Sequence, residues 1–131
     1  MPGAESRYPA HWLRIAEKDL GRVSRMLAGD DPEAAGFYLQ QAVEKFLKAF
    51  LLQKGWSLRR THDLQALLNE ALAYDPSLET FREACRKISG FYIVERYPFL
   101  AEAGLTEDEV RQALGEVEGL IEKLRASVGA A

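Results

Sequence analysis

Between Gln41 and Asp63 the chain gathers most of the side chains that could do polar chemistry. Glu44 and Lys48 are spaced i,i+4, the separation of an intrahelical ion pair, and Gln41 and Lys45 lie on the same side of the same segment. From Glu44 to Asp63 there are five cations (Lys45, Lys48, Lys54, Arg59, Arg60) against two carboxylates, in a chain of net charge −3 with 17 basic and 20 acidic residues. A balance of that sign argues against general coating of polyanions. A confined basic stretch suits a phosphate-bearing ligand or an acidic partner, and it equally suits a solvated helix face and loop. His62 adds a group that gives or takes a proton near neutral pH, although a histidine at a helix start also serves as a cap or hydrogen-bonding residue. Asp63 suits the positive end of the helix that follows.

Other chemistries lack their residues. Cys85 is the single cysteine and the chain has two histidines, His11 and His62, so there is neither an internal disulfide nor the donor set of a zinc site. Neither GxGxxG nor GxxxxGK[ST] occurs. Carboxylate clusters at Asp30–Asp31 and Glu107–Asp108–Glu109 fall at helix starts, where capping explains them. Cys85 lies on the apolar face of its segment and reads as core. No cofactor and no metal is implied.

The elements that must carry these residues are helices. The chain has 131 residues and 14.7 kDa, with 47% apolar and 28% charged residues, which fits one soluble globular domain spanning 1–131 with its core over about 10–127. No run is long and apolar enough for a bilayer, and Met1–Trp12 lacks a secretory pattern; the expectation is a cytoplasmic protein with no membrane contact. Apolar residues recur with helical period over about 10–28, 32–54, 62–73, 77–96 and 106–127. Pro9, Pro32 and Pro76 open such patterns. Asp31, Thr61 and Asp75 are candidate N-caps, and Thr106 with Glu109 forms a capping box. No stretch alternates with the period of a strand. The reading is all-α: an up-and-down bundle of four main helices plus one short helix, the third, in a crossover.

Helix geometry also marks polar residues on apolar faces. With Trp12 at zero, Asp19 lies at about 340°, inside the apolar arc of the first helix, and needs a donor from Arg96, Lys45 or a tyrosine because an unpaired buried charge is costly. On the second helix Gln41, Glu44, Lys45 and Lys48 form a stripe about 100° wide, read as opening onto a groove or subunit interface, or as an exposed salt-bridged strip. Arg96 and Tyr97 end an aromatic segment, where arginine beside tyrosine stacks on a base, holds a carboxylate, or closes the bundle against Asp19. Gly115 and Gly119 are read as outward-facing on the fifth helix, with room for a second helix to approach.

Gln40-Gln41-Ala42-Val43-Glu44-Lys45-Phe46-Leu47-Lys48-Ala49, followed by Thr61-His62-Asp63-Leu64 and Arg96-Tyr97-Pro98, and preceded by Trp12 with Ala16-Glu17-Lys18-Asp19-Leu20, resembles the HEPN domain family. The resemblance runs over about residues 11–126. It implies an all-α bundle, usually a homodimer. Many members are companions of a separate minimal nucleotidyltransferase subunit, binding a nucleotide or nucleotidylated substrate, while others are RNA-cleaving toxins. The toxin motif Arg-x(4–6)-His is missing here: the positions five to seven before His62 are Ser57, Trp56 and Gly55, and Arg7 is only four before His11. The reading therefore leans away from an enzyme and toward a binding module. Its implied nucleotide- or partner-binding residues are Gln41, Lys45, Lys48, His62, Asp63, Arg96 and Tyr97. The alternatives are an RNA-cleaving protein with His62, Asp63 and Arg96 as an unconventional set, within or outside a toxin–antitoxin pair, and a purely structural homodimer.

Overall fold

The computed structural model describes residues 8–57, 59–96 and 104–129, and for residues 92–96 it describes the backbone alone. Among the described residues five α-helices follow one another: α1 (Pro9–Ala28), α2 (Pro32–Gln53), α3 (Leu64–Leu72), α4 (Arg82–Arg96) and α5 (Glu107–Gly129), with a 3-10 helix at Pro76–Phe81. There is no strand among the described residues. The expected all-α bundle of four long helices and a short one is what the chain adopts. None of its described helices is long and apolar enough to cross a membrane.

Local chemistry sets the boundaries. Asp31 caps α2 by accepting from the Ala34 N–H at 3.2 Å. Thr106 and Glu109 exchange hydrogen bonds at the start of α5, Glu109 N to Thr106 Oγ1 at 3.1 Å and Thr106 N to Glu109 Oε1 at 2.9 Å, which satisfies amide groups the first turn leaves open. Two expected helix starts are corrected. The cap of α3 is Asp63, not Thr61; Asp63 takes the amides of Gln65 and Ala66, while Thr61 Oγ1 accepts from the Asp63 N–H. The fourth pattern begins as a 3-10 helix, because Asp75 Oδ1 binds both the amide and the hydroxyl of Ser77 and tightens the first turns.

Helices α1 and α2 end in the same way. The Asp31 amide reaches Met26 O and the Asp30 amide reaches Leu27 O; the Trp56 amide reaches Leu51 O and the Gly55 amide reaches Leu52 O. Both are Schellman closures, which need a left-handed residue just past the helix. Gly55 supplies it at φ 92°, and Asp30 at φ 59°, a region aspartate enters more readily than most side chains.

Helix α2 runs through the centre and packs on α1, α3, α4 and α5. Leu39, Ala42, Val43, Phe46, Leu47, Phe50 and Leu51 are buried on it, in one core with Trp12, Ala16, Val23 and Leu27 of α1 and Val110, Ala113, Val117, Leu120, Ile121 and Leu124 of α5. Gly36 admits a close approach, since a Cβ there would stand 2.3 Å from Leu105 Cδ2 and 3.4 Å from Phe91. Ile15 on α1 lies outside the core, 39% exposed. Gly119 does not offer a clear outer surface: a Cβ would meet Phe81 Cζ at 3.1 Å, so its smallness serves the packing of the 3-10 helix on α5.

Candidate functional site

Because α2 is apolar nearly all round and packed on every side, its polar stripe has little solvent to face. The expected groove is replaced by closed ion pairs. Lys48 and Glu44 are each 2% exposed, and Lys48 Nζ donates to Glu44 Oε2 at 3.0 Å. The same ammonium lies 5.1 Å from the centre of the Trp12 ring, which gives it a cation–π partner where water is excluded. Two charges out of water cost several kcal/mol each before their attraction and hydrogen bonds offset it. Glu44 accordingly has more partners: its Oε1 accepts from Gln40 Nε2 at 3.3 Å and lies 2.9 Å from His62 Nδ1.

His62 is the point at which this buried chain reaches solvent. Its side chain is 63% exposed while the carboxylate holding it is 2% exposed. Gln40 Nε2 also donates to the His62 carbonyl at 3.2 Å, and Gln41 Nε2 donates to Gln40 Oε1 at 2.6 Å, so α2 grips both backbone and ring. A carboxylate opposite Nδ1 favours the tautomer with the proton on that nitrogen. Nε2 is then the ring atom that accepts a proton in the neutral form and donates to an anion in the charged form.

Lys45 belongs to a second cluster. Its ammonium donates to Asp19 Oδ2 at 2.6 Å, and Arg22 Nη1 donates to Asp19 Oδ1 at 2.5 Å. Lys45 is thus the donor found for Asp19, and Arg22, one turn along α1, is a second one that the helix wheel did not single out. Arg22 also lies over Tyr38 at 5.6 Å.

The loop leading to His62 carries the exposed cations. Arg59 pairs with Glu70 Oε2 at 2.8 Å and stacks over Trp56 at 5.5 Å, while the Trp56 Nε1 is buried without a hydrogen-bond partner among the described residues. Arg60 is exposed beside it. Asp63 is committed to capping α3, with one oxygen serving two amides. Arg96 closes α4 with its backbone, and Tyr97 lies outside the described residues. Gln41, Lys48 and His62 are therefore joined in one network through Gln40 and Glu44, whereas Lys45 turns to Asp19 and Asp63 to the amides of α3; Lys48 alone among the five is fully enclosed.

Sequence reasoning undervalued Gln40 and Glu44, the two groups that anchor His62. Their signal was present in the polar stripe of a helix too apolar to have a solvent face. Cys85 is core as expected; burial pushes its thiol up to about 12, which leaves no thiolate near neutral pH. Among the described residues no group of three His, Cys, Asp or Glu side chains is arranged to hold a metal ion.

Comparison with known proteins agrees with this architecture. One solved structure, the crystal structure of TT1696 from Thermus thermophilus, is similar with a TM-score of 0.76 at 30% identity, over 93% of this chain and 96% of that one. No curated protein matches the chain. The model of the HEPN domain matches residues 9–127, from the first residue of α1 to the last turn of α5, and the chain belongs to the HEPN family.

Proposed function

We propose that this chain is a binding module that partners a separate nucleotidyltransferase subunit and holds a nucleotide or a nucleotidylated substrate, with His62 as its contact residue. The single observation that carries this reading is an exposed imidazole fixed through Nδ1 by a fully buried carboxylate. A buried Lys–Glu pair is poor at stabilising a fold compared with apolar residues of the same size. What it supplies here is a rigid mount for one solvent-facing ring. A histidinium so held donates from Nε2 to a phosphoryl oxygen, and Arg59 and Arg60 in the loop before it add positive charge. Lys45 and Lys48 act as supports within the bundle, since both ammonium groups are already paired with carboxylates. The class of partner is the one that the resemblance implies for many members of the family.

Titration of the full chain with ATP and AMP tests the reading. His62→Ala is expected to weaken binding about tenfold, the equivalent of one charge-assisted hydrogen bond, with the helical circular dichroism unchanged. Equal affinity in wild type and His62→Ala removes His62 from the site. The same mount would also serve a general base, which favours RNA cleavage as the second reading. Metal-free cleavage of RNA that disappears in His62→Ala would replace the binding role with that one.

A further inference from the structure

Lys54, at the end of α2, and Lys123, on α5, are exposed lysines facing one small cleft of about 160 Å³. Phe50, Tyr74, Asp75 and Ser127 line it with two leucines, Leu78 and Leu124. Unlike Lys45, Lys48 and Lys87, neither lysine has a carboxylate within ion-pair distance among the described residues. Lys54 Nζ rests 5.4 Å from the centre of the Phe50 ring, and Lys123 Nζ lies 3.3 Å from Ser77 Oγ. The one carboxylate in the cleft, Asp75, is occupied by Ser77: its Oδ1 accepts from the Ser77 amide at 3.1 Å and from the Ser77 hydroxyl at 2.6 Å.

We propose that this cleft between α2, the Tyr74–Asp75 turn and α5 is a phosphate-binding pocket, taking either the free ion or the terminal phosphoryl group of a small monoester between the ammonium groups of Lys54 and Lys123. Two ammonium groups outweigh the single carboxylate, and Ser127 adds a hydroxyl that donates to an anion oxygen. The volume is well below the roughly 300–1,000 Å³ of pockets that enclose a whole drug-sized ligand, so it suits one ionic group with the remainder of a ligand in solvent. Lysine, a point charge with rotatable donors, fits a tetrahedral oxyanion approached from two sides. The pocket rests on residues separate from His62 and stands whether or not His62 binds anything.

The test follows backbone amide resonances of the full chain by NMR, titrating with sodium phosphate and with glycerol 3-phosphate at constant ionic strength. Saturable shifts at Tyr74, Lys123 and Ser127 are expected, and Lys54→Gln with Lys123→Gln should weaken them at least about tenfold. Asp75→Asn keeps a good cap on the 3-10 helix and removes the opposing charge, so it should tighten binding severalfold. Stronger binding of the inorganic ion identifies free phosphate as the ligand, and stronger binding of glycerol 3-phosphate identifies a monoester. Shifts that never saturate, an affinity unchanged in the double variant, or no gain in Asp75→Asn would overturn the pocket.

Discussion

Two pairs of lysines divide this molecule. Lys45 and Lys48 belong to the central helix and each holds a carboxylate, Asp19 and Glu44, both 2% exposed. Lys54 and Lys123 stand at the surface, form no ion pair with a carboxylate among the described residues, and share a cleft with Asp75. In sequence the first pair looks the more purposeful, because it lies in the family's signature helix. In the folded chain its charge is already matched by partners. A cation's availability therefore depends on the face it occupies, and a charge on an apolar helix must first be neutralised inside the bundle.

The contrast is greatest at Lys48. Lys48→Met should lower unfolding stability by about 3 kcal/mol, because Glu44 then keeps its burial and loses its countercharge. Adding Glu44→Gln should restore more than half of the loss. Urea denaturation measures both, and a single-variant cost below about 1 kcal/mol would mean that the pair is not closed in solution. Lys45→Met should cost less, about 1–2 kcal/mol, since Asp19 retains Arg22. A cost equal to that at Lys48 would argue that Arg22 does not hold Asp19.

At the surface pair the expected stability effect nearly vanishes. Lys54→Gln and Lys123→Gln should each stay within about 0.5 kcal/mol of wild type, and a larger loss would make them structural after all. The smallest effect concerns pH. The Ser77 hydroxyl, and more weakly Lys123 and Lys54, hold the Asp75 carboxyl below its ordinary value of 3.8. A group depressed on folding contributes stability that is present above the ordinary value and is lost as pH falls through the folded one. The drop in melting temperature between pH 5 and pH 2 should therefore be slightly smaller in Asp75→Asn. An identical drop would remove Asp75 from the acid response.

Much of the fold was legible because helical periodicity and caps agree with each other. The apolar repeat of α5 and the Thr106–Glu109 box specify the same element, and Asp31 with Pro32 marks the start of α2. The misses occurred where side chains compete for backbone. Asp63 displaced Thr61 at the amides of α3, and Ser77 turned the start of the fourth helical pattern into a 3-10 helix. The site was legible in part. The helix wheel found Asp19 and the α2 stripe, and it named Lys45 among the possible donors. It did not find the closure of Glu44 onto His62, because that contact spans 18 residues and depends on how the loop returns. The cleft of Lys54 and Lys123 joins positions still farther apart, with no periodic signal to connect them.

If the Glu44–Lys48 pair serves to mount His62 for contact with a phosphate-bearing ligand, the imidazole itself should report the ligand's arrival. NMR of the His62 ring during titration of the full chain with ATP observes that contact without an intermediary. Saturable movement of the ring resonances is expected in wild type, with weaker binding in Glu44→Gln. Resonances of His62 that stay fixed while ATP saturates the protein elsewhere would contradict the mount.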